Sequence, residues 1–311
     1  MRCGVRGRAQ PLGRRAVWGV LAVLVLACYA DPGYRGLPSA AWVAQLAHGG
    51  TLNDRVEAAV ALGHVLELQP NDREAVAALV GALADTSDAL RVSAAHALTG
   101  AARGGRRTRA ALPDAVPRLV TLLGDTAHAE VRADAARVLG ALGAASVAGG
   151  GTSALGRAVR DARSEVRGTA LDALGTLGPA ARVAWPALDT ALIGAAERDP
   201  APGNRRTALA ALGGAGVPTT LYLPTLVRAA ADTDAGVREV AVRTLGLLGA
   251  TTDVGARAAL TRALADPEAG VRQEARHALT ALHRRGGEDP PPPEPSPIAR
   301  CAGGGYRRPG C

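Results

Sequence analysis

Residues 130–143 read EVRADAARVLGALG, and the reading of this stretch decides the architecture. Val131, Ala135, Leu139 and Leu142 stand at i, i+4, i+8 and i+11, which puts them on one face of an α-helix. The small Ala in the middle of that face lets a neighbouring helix come close. The stretch returns with variations at 165–178 (EVRGTALDALGTLG), 236–249 (GVREVAVRTLGLLG) and 270–282 (GVRQEARHALTAL).

Aligned on its Arg, the pattern falls at Arg55, Arg91, Arg132, Arg167, Arg205, Arg238 and Arg272, with spacings of 36, 41, 35, 38, 33 and 34. A sustained period of this length is the signature of a solenoid. Three residues after each Arg comes Ala58, Ala94, Ala135, Ala170, Ala208, Ala241 or Ala275. Seven after it comes Leu62, Leu98, Leu139, Leu174, Leu212, Leu245 or Leu279. Gly140, Gly175, Gly213 and Gly246 follow the Leu, and a second Gly at 143, 178, 216 and 249 is placed for a left-handed helix stop. Apolar stretches at 115–123, 185–193, 222–230 and 256–265 precede these helices, so each unit reads as helix, short turn, helix. The first and fifth units depart from the Val position with Asp54 and Asn204.

Six residues before the repeated Arg stand Asp85, Asp161, Asp199, Asp232 and Asp266. The third unit has Asp125 one place earlier, and the first has Gly49. These carboxylates and Arg91, Arg132, Arg167, Arg205, Arg238 and Arg272 are expected to form a ladder between adjacent units, and to satisfy backbone donors near the helix starts. Their recurrence marks them as structural, because a catalytic group occurs once.

The D-x5-R-x2-A-x3-LG pattern resembles HEAT repeats of the short bacterial kind also called phycobilisome-lyase-like. The resemblance covers residues 38–283, about four-fifths of the chain. It implies an all-α, right-handed α-solenoid of about seven two-helix repeats, with the second helices lining a concave surface. It also implies scaffolding or protein binding far more often than chemistry.

The composition agrees with small repeats. Hydrophobic residues make up 48 % of the chain but aromatics only 2 %, so the apolar mass is Ala, Leu and Val. All 36 basic residues are Arg. The net charge of +8 sits mostly at the ends: six Arg face one Asp in residues 1–35 and five Arg face three acids in 284–311. A middle with 25 Arg against 24 acids lacks the overall footprint of a nucleic-acid binder.

Residues 1–15 hold five Arg and no acid, and 16–30 (AVWGVLAVLVLACYA) carry no charge. A basic start, a 15-residue apolar run and small residues at its end describe a secretory signal. As a helix the run spans roughly 22 Å, short of the roughly 30 Å hydrocarbon core. Cys28-Tyr29-Ala30 offers a cleavage site, and Val25-Leu26-Ala27-Cys28 resembles a bacterial lipoprotein box that would lipidate Cys28. Residues 13–17 (GRRAV) resemble a twin-arginine export signal. These readings, with a membrane anchor, stay open. Residues 31–37 are expected as a linker, and 284–311, rich in Pro, Gly and Arg, as a disordered tail. Cys301 and Cys311 are a candidate disulfide in an oxidising compartment.

Two stretches break the period. One, at 101–112, carries Arg103, Arg106, Arg107 and Arg109, a candidate loop for an acidic partner. The other, at 146–153, is Gly-rich, and both are expected to emerge on one edge. None of the six His is adjacent to Glu, so the His-Glu pairs of deoxyhypusine hydroxylase, which shares HEAT-like repeats, are missing. No phosphate loop or nucleophile motif is present, so neither a catalytic residue, a cofactor nor a metal is assigned. The expectation is a non-catalytic scaffold for a protein partner, exported or membrane-tethered through its N-terminal segment. The alternatives are a HEAT-like lyase or hydroxylase, or a binder of an acidic partner.

Overall fold

The structure, a computed structural model, describes residues 34–69, 71–103, 112–124, 127–249 and 253–286. The apolar N-terminal run with Cys28, the three arginines Arg106, Arg107 and Arg109, Asp125, and the tail with Cys301 and Cys311 lie outside the described residues.

Among the described residues there are sixteen α-helices and no strand. They form seven units: α1 (Ser39–His48) with α2 (Leu52–Leu68), α3 (Arg73–Ala82) with α4 (Asp88–Arg103), and α5 (Val116–Leu123) with α6 (Ala129–Ala141). The fourth unit has two short helices, α7 (Ala144–Ala148) and α8 (Gly151–Ala158), before α9 (Ser164–Leu177). The fifth has α10 (Pro179–Ala184) and α11 (Leu188–Arg198) before α12 (Pro202–Gly214). The last two are α13 (Thr219–Ala229) with α14 (Ala235–Leu248), and α15 (Val254–Ala263) with α16 (Ala269–Gly286).

Each second helix (α2, α4, α6, α9, α12, α14, α16) packs on the second helices of the adjacent units, one at either end of the array and two in between, the arrangement of an α-solenoid. The repeated Ala and Leu side chains are the centre of that layer. All seven Ala are fully buried, and so are the first six Leu; Leu279, in the last unit, is 7 % exposed. A second helix is flanked on two sides and covered by its own first helix. On α6, Ala133, Ala136 and Val138 are therefore buried along with the predicted face of Val131, Ala135 and Leu139.

The Gly after the repeated Leu is where neighbouring units touch. A Cβ on Gly140 would lie 2.8 Å from Ala173, one on Gly175 2.9 Å from Ala211, and one on Gly246 within 2.9 Å of the Ala278 backbone. Each of those Ala directly precedes the Leu of the next unit, so the backbones meet Gly against Ala. Gly213 is the exception, with open space where its Cβ would be. The four later Gly all adopt positive φ, from 57° to 71°. Only at Gly249 are both φ and ψ described as left-handed helical; Gly143 and Gly178 turn to extended ψ and lead directly into α7 and α10.

Three readings change. The Gly-rich stretch 146–153 is not an emergent loop: it folds into α7 and the start of α8, with Ser146 and Thr152 buried. Small residues allow this, since a Cβ on Gly149 would lie 2.6 Å from Val116. Residue Trp185 precedes its helix and lies on the backbone of Gly156, where a Cβ would be 2.6 Å from the indole. Residues 34–37, within the expected linker, form a tight turn with positive φ at Arg35 and Gly36. That turn is held on α2 by the Tyr34–His64 ring stack at 4.8 Å and by Arg35–Glu57 at 2.7 Å.

The two departures at the Val position are both built for. Asp54 closes a capping box with Thr51 at the start of α2. The Asn204 amide is buried and donates to the Ser164 carbonyl at 2.9 Å and to Asp199 at 3.2 Å; Gly168 leaves room for it.

Candidate functional site

The recurrent polar pair joins adjacent units. Arg132 donates from Nε and Nη2 to both oxygens of Asp161 at 2.8 and 2.9 Å. The same two-pronged geometry joins Arg167 to Asp199 at 2.7 and 2.9 Å, Arg205 to Asp232 at 2.8 and 2.7 Å, and Arg238 to Asp266 at 2.7 and 2.8 Å. Arg55 reaches Asp85 at 2.5 Å. The planar fork of a guanidinium matches a carboxylate in this way, and an ammonium could not.

Each rung also fixes its own turn. Nη1 of Arg167, Arg205, Arg238 and Arg272 donates to the carbonyl of the Asp six residues earlier at 2.7–3.0 Å. Each Asp accepts the amide two residues on, from Ser87, Arg163, Ala201, Asp234 and Glu268, at 2.8–2.9 Å. Arg91 is buried, pairs with Asp88 and donates to the Asp85 carbonyl; the acid of the following unit is Asp125, outside the described residues.

The electrostatics follow from this geometry. The Arg132 hydrogen bonds hold the Asp161 carboxyl below the ordinary carboxylate range, and those of Arg238 do so for Asp266. At Asp85, Asp199 and Asp232 burial pushes upward, and donors outweigh it: Ser87 and Arg55, then Arg167, Ala201 and Asn204, then Arg205 and the Asp234 amide. Arg167, Arg205 and Arg238 are held above their ordinary range by the same acids. A tie not foreseen from sequence joins first helices: the Thr225 hydroxyl donates to Glu197 at 2.7 Å, and Arg228 pairs with the same carboxylate.

Solvent meets the second helices along one strip. Five residues after the repeated Arg stand Val60, His96, Arg137, Asp172, Ala210, Arg243 and His277, all exposed or half-exposed. Nine after it stand His64, Gly100, Ala141, Thr176, Gly214, Leu247 and Ala281, exposed or half-exposed as well. Spacing by four keeps the two rows on one face. Here the side chains differ in size, charge and polarity from unit to unit.

Two clefts open on the first-helix side, flanking α5. One, about 380 Å³, is lined by Val120, Leu123, Ala154, Ala158, Arg157 and the Arg132–Asp161 pair, among others. The other, about 250 Å³, is lined by α3 residues including Val76 and Val80, with Asp114 and Arg118. Arg103 ends α4 in an exposed position, and the other three arginines of that candidate loop lie beyond the described residues. Among the described residues no three His, Cys, Asp or Glu gather in a metal-binding group.

A family model described as HEAT repeats matches residues 188–280, from α11 into α16. No curated protein matches the sequence. An engineered protein of known structure is 24 % identical, covers 79 % of this chain and 68 % of its own, and superimposes with a TM-score of 0.52. YibA of E. coli is 22 % identical, covers 70 % of this chain and 74 % of its own, with a TM-score of 0.53. Similarity at this level concerns the fold. The chain is an α-solenoid of two-helix repeats, and residues 188–280 match HEAT repeats.

Proposed function

We propose that the protein is a non-catalytic scaffold that binds a protein partner along the exposed strip of its second helices. One observation carries this reading: the residues that pack are the same in every unit, while those facing solvent on the same helices are not. Ala135, Ala170 and Ala208 occupy one place in three units; Arg137, Asp172 and Ala210, two residues further on, share only their exposure. A rigid frame that holds unlike side chains in a fixed row is a surface for reading an extended partner.

A photo-reactive amino acid at Ala210 or at Thr176 tests this in cells. Both positions are expected to yield adducts with the same partner, and an equivalent probe at the exposed Val183 on α10 is not. Adducts from Val183 alone, or none from the strip, would contradict the reading.

We further propose export or membrane tethering through residues 1–30, supported by five Arg ahead of an uncharged run of fifteen. Among the described residues no helix is long and apolar enough to cross a membrane. Cell fractionation should recover the body outside the cytosol. Full-length chain in the cytosol with an intact N-terminus would overturn it.

A further inference from the structure

The cleft beside α5 arises where the array is least regular. Helices α5 and α8 have eight residues each, whereas α1, α3 and α15 have ten and α11 and α13 have eleven. A 3-10 turn, Leu112–Ala115, runs directly into α5, so this unit departs from the others in helix type as well as in length. Between α5 and α8 lies the cleft of about 380 Å³, within the size range of sites that take a side chain or small ligand. Its floor is aliphatic: Val120, Leu123, Ala154 and Ala158.

Its polar side is cationic. Arg132 and Asp161 face each other there with side chains 12 % and 14 % exposed. Arg157 lies on the rim, exposed, and makes no ion pair among the described residues. Among the described residues that line it, two arginines against one aspartate leave one positive charge beside an apolar floor.

We propose that this cleft is a receptor for a carboxylate-bearing side chain of a protein partner, with an adjacent aliphatic side chain on the floor. Arg157 supplies the free guanidinium fork; Arg132 already spends its fork on Asp161 and adds field rather than hydrogen bonds. A neutral amide in place of the carboxylate forfeits the charge-assisted bonds, and a basic residue is repelled. The site is separate from the second-helix strip and does not depend on it.

The test is selection of a displayed library of random twelve-residue peptides on the full chain, in parallel with Arg157→Ala and Ala162→Trp. Ala162 lines the cleft and is exposed, so a Trp there obstructs it without entering the core. The native chain should enrich peptides with Asp or Glu beside Val, Leu or Ile. Each variant, folded as judged by circular dichroism, should recover them at least tenfold less. The best peptide should bind at least tenfold more weakly, by fluorescence anisotropy, when its acid is changed to the amide. Absence of acidic enrichment, equal recovery by both variants, or equal binding of the amide peptide would overturn the proposal. Crosslinking from the strip would be unaffected by any of these results, so the two readings fail separately.

Discussion

Asp199 collects four hydrogen bonds: two from Arg167, one from the Ala201 amide and one from the Asn204 side chain. It is 7 % exposed, so its removal leaves the Arg167 guanidinium enclosed and without its acid. Asp199→Ala is expected to cost about 2–4 kcal/mol in chemical denaturation, the range for breaking a largely buried pair from one side. Acid should act on the whole ladder. Asp85, Asp161, Asp199, Asp232 and Asp266 all have folded values below their unfolded ones, so the unfolded chain takes up protons first as pH falls. Their contribution is full at neutral pH, persists down to the ordinary carboxylate value near about 4, and is lost as pH drops through the depressed values. Melting temperature measured from pH 7 to strong acid should hold and then fall steeply, and less steeply in Asp199→Asn. The pairing was legible because acid and base recur at a fixed spacing. Asn204 was not: an Asn at a Val position reads as a lapse until Ser164 and Asp199 are seen around it.

At the scale of the helix, the same Gly→Ala change should have opposite signs at equivalent places. Ala is the better helix former by about 1 kcal/mol. At Gly140 that gain meets the Ala173 backbone at 2.8 Å, closer than real Cβ contacts come, so the two second helices must part. Gly140→Ala is expected to destabilise by about 1–3 kcal/mol. Gly213, in α12, has nothing within 4 Å of the added Cβ, and Gly213→Ala should stabilise by up to about 1 kcal/mol. Urea midpoints of the two variants decide this; equal signs would show that the contact between units does not set the preference for Gly. The helices themselves were legible from i, i+4 spacing. The touching of Gly140 and Ala173 was not, because it depends on how two helices 33 residues apart in sequence are set against each other. The segment 146–153 misled for a related reason: Gly and Ser that signal a loop also permit close packing, and only the presence of Val116 beside Gly149 distinguishes the two.

The whole molecule separates what repeats from what does not. Ala and Leu inside, Asp to the preceding Arg, and Gly at the crossing set one unit on the next. These were readable in the sequence because a solenoid asks the same of each unit. The clefts beside α5 were not readable, since they form between first helices of successive units, whose spacing periodicity does not fix. The expected partner surface, the strip on the second helices, could be located only as the places where the rule is silent. The direct test reverses charges of the strip with Asp172→Arg and Arg243→Glu together, both exposed positions on α9 and α14. Captures with this variant and with the native full chain, quantified by mass spectrometry, are compared alongside their melting temperatures. The account predicts that melting stays within about 2 °C, as for surface changes of a few tenths of a kcal/mol, while a partner held by the native chain is lost. An unchanged set of partners on the well-folded variant would contradict it.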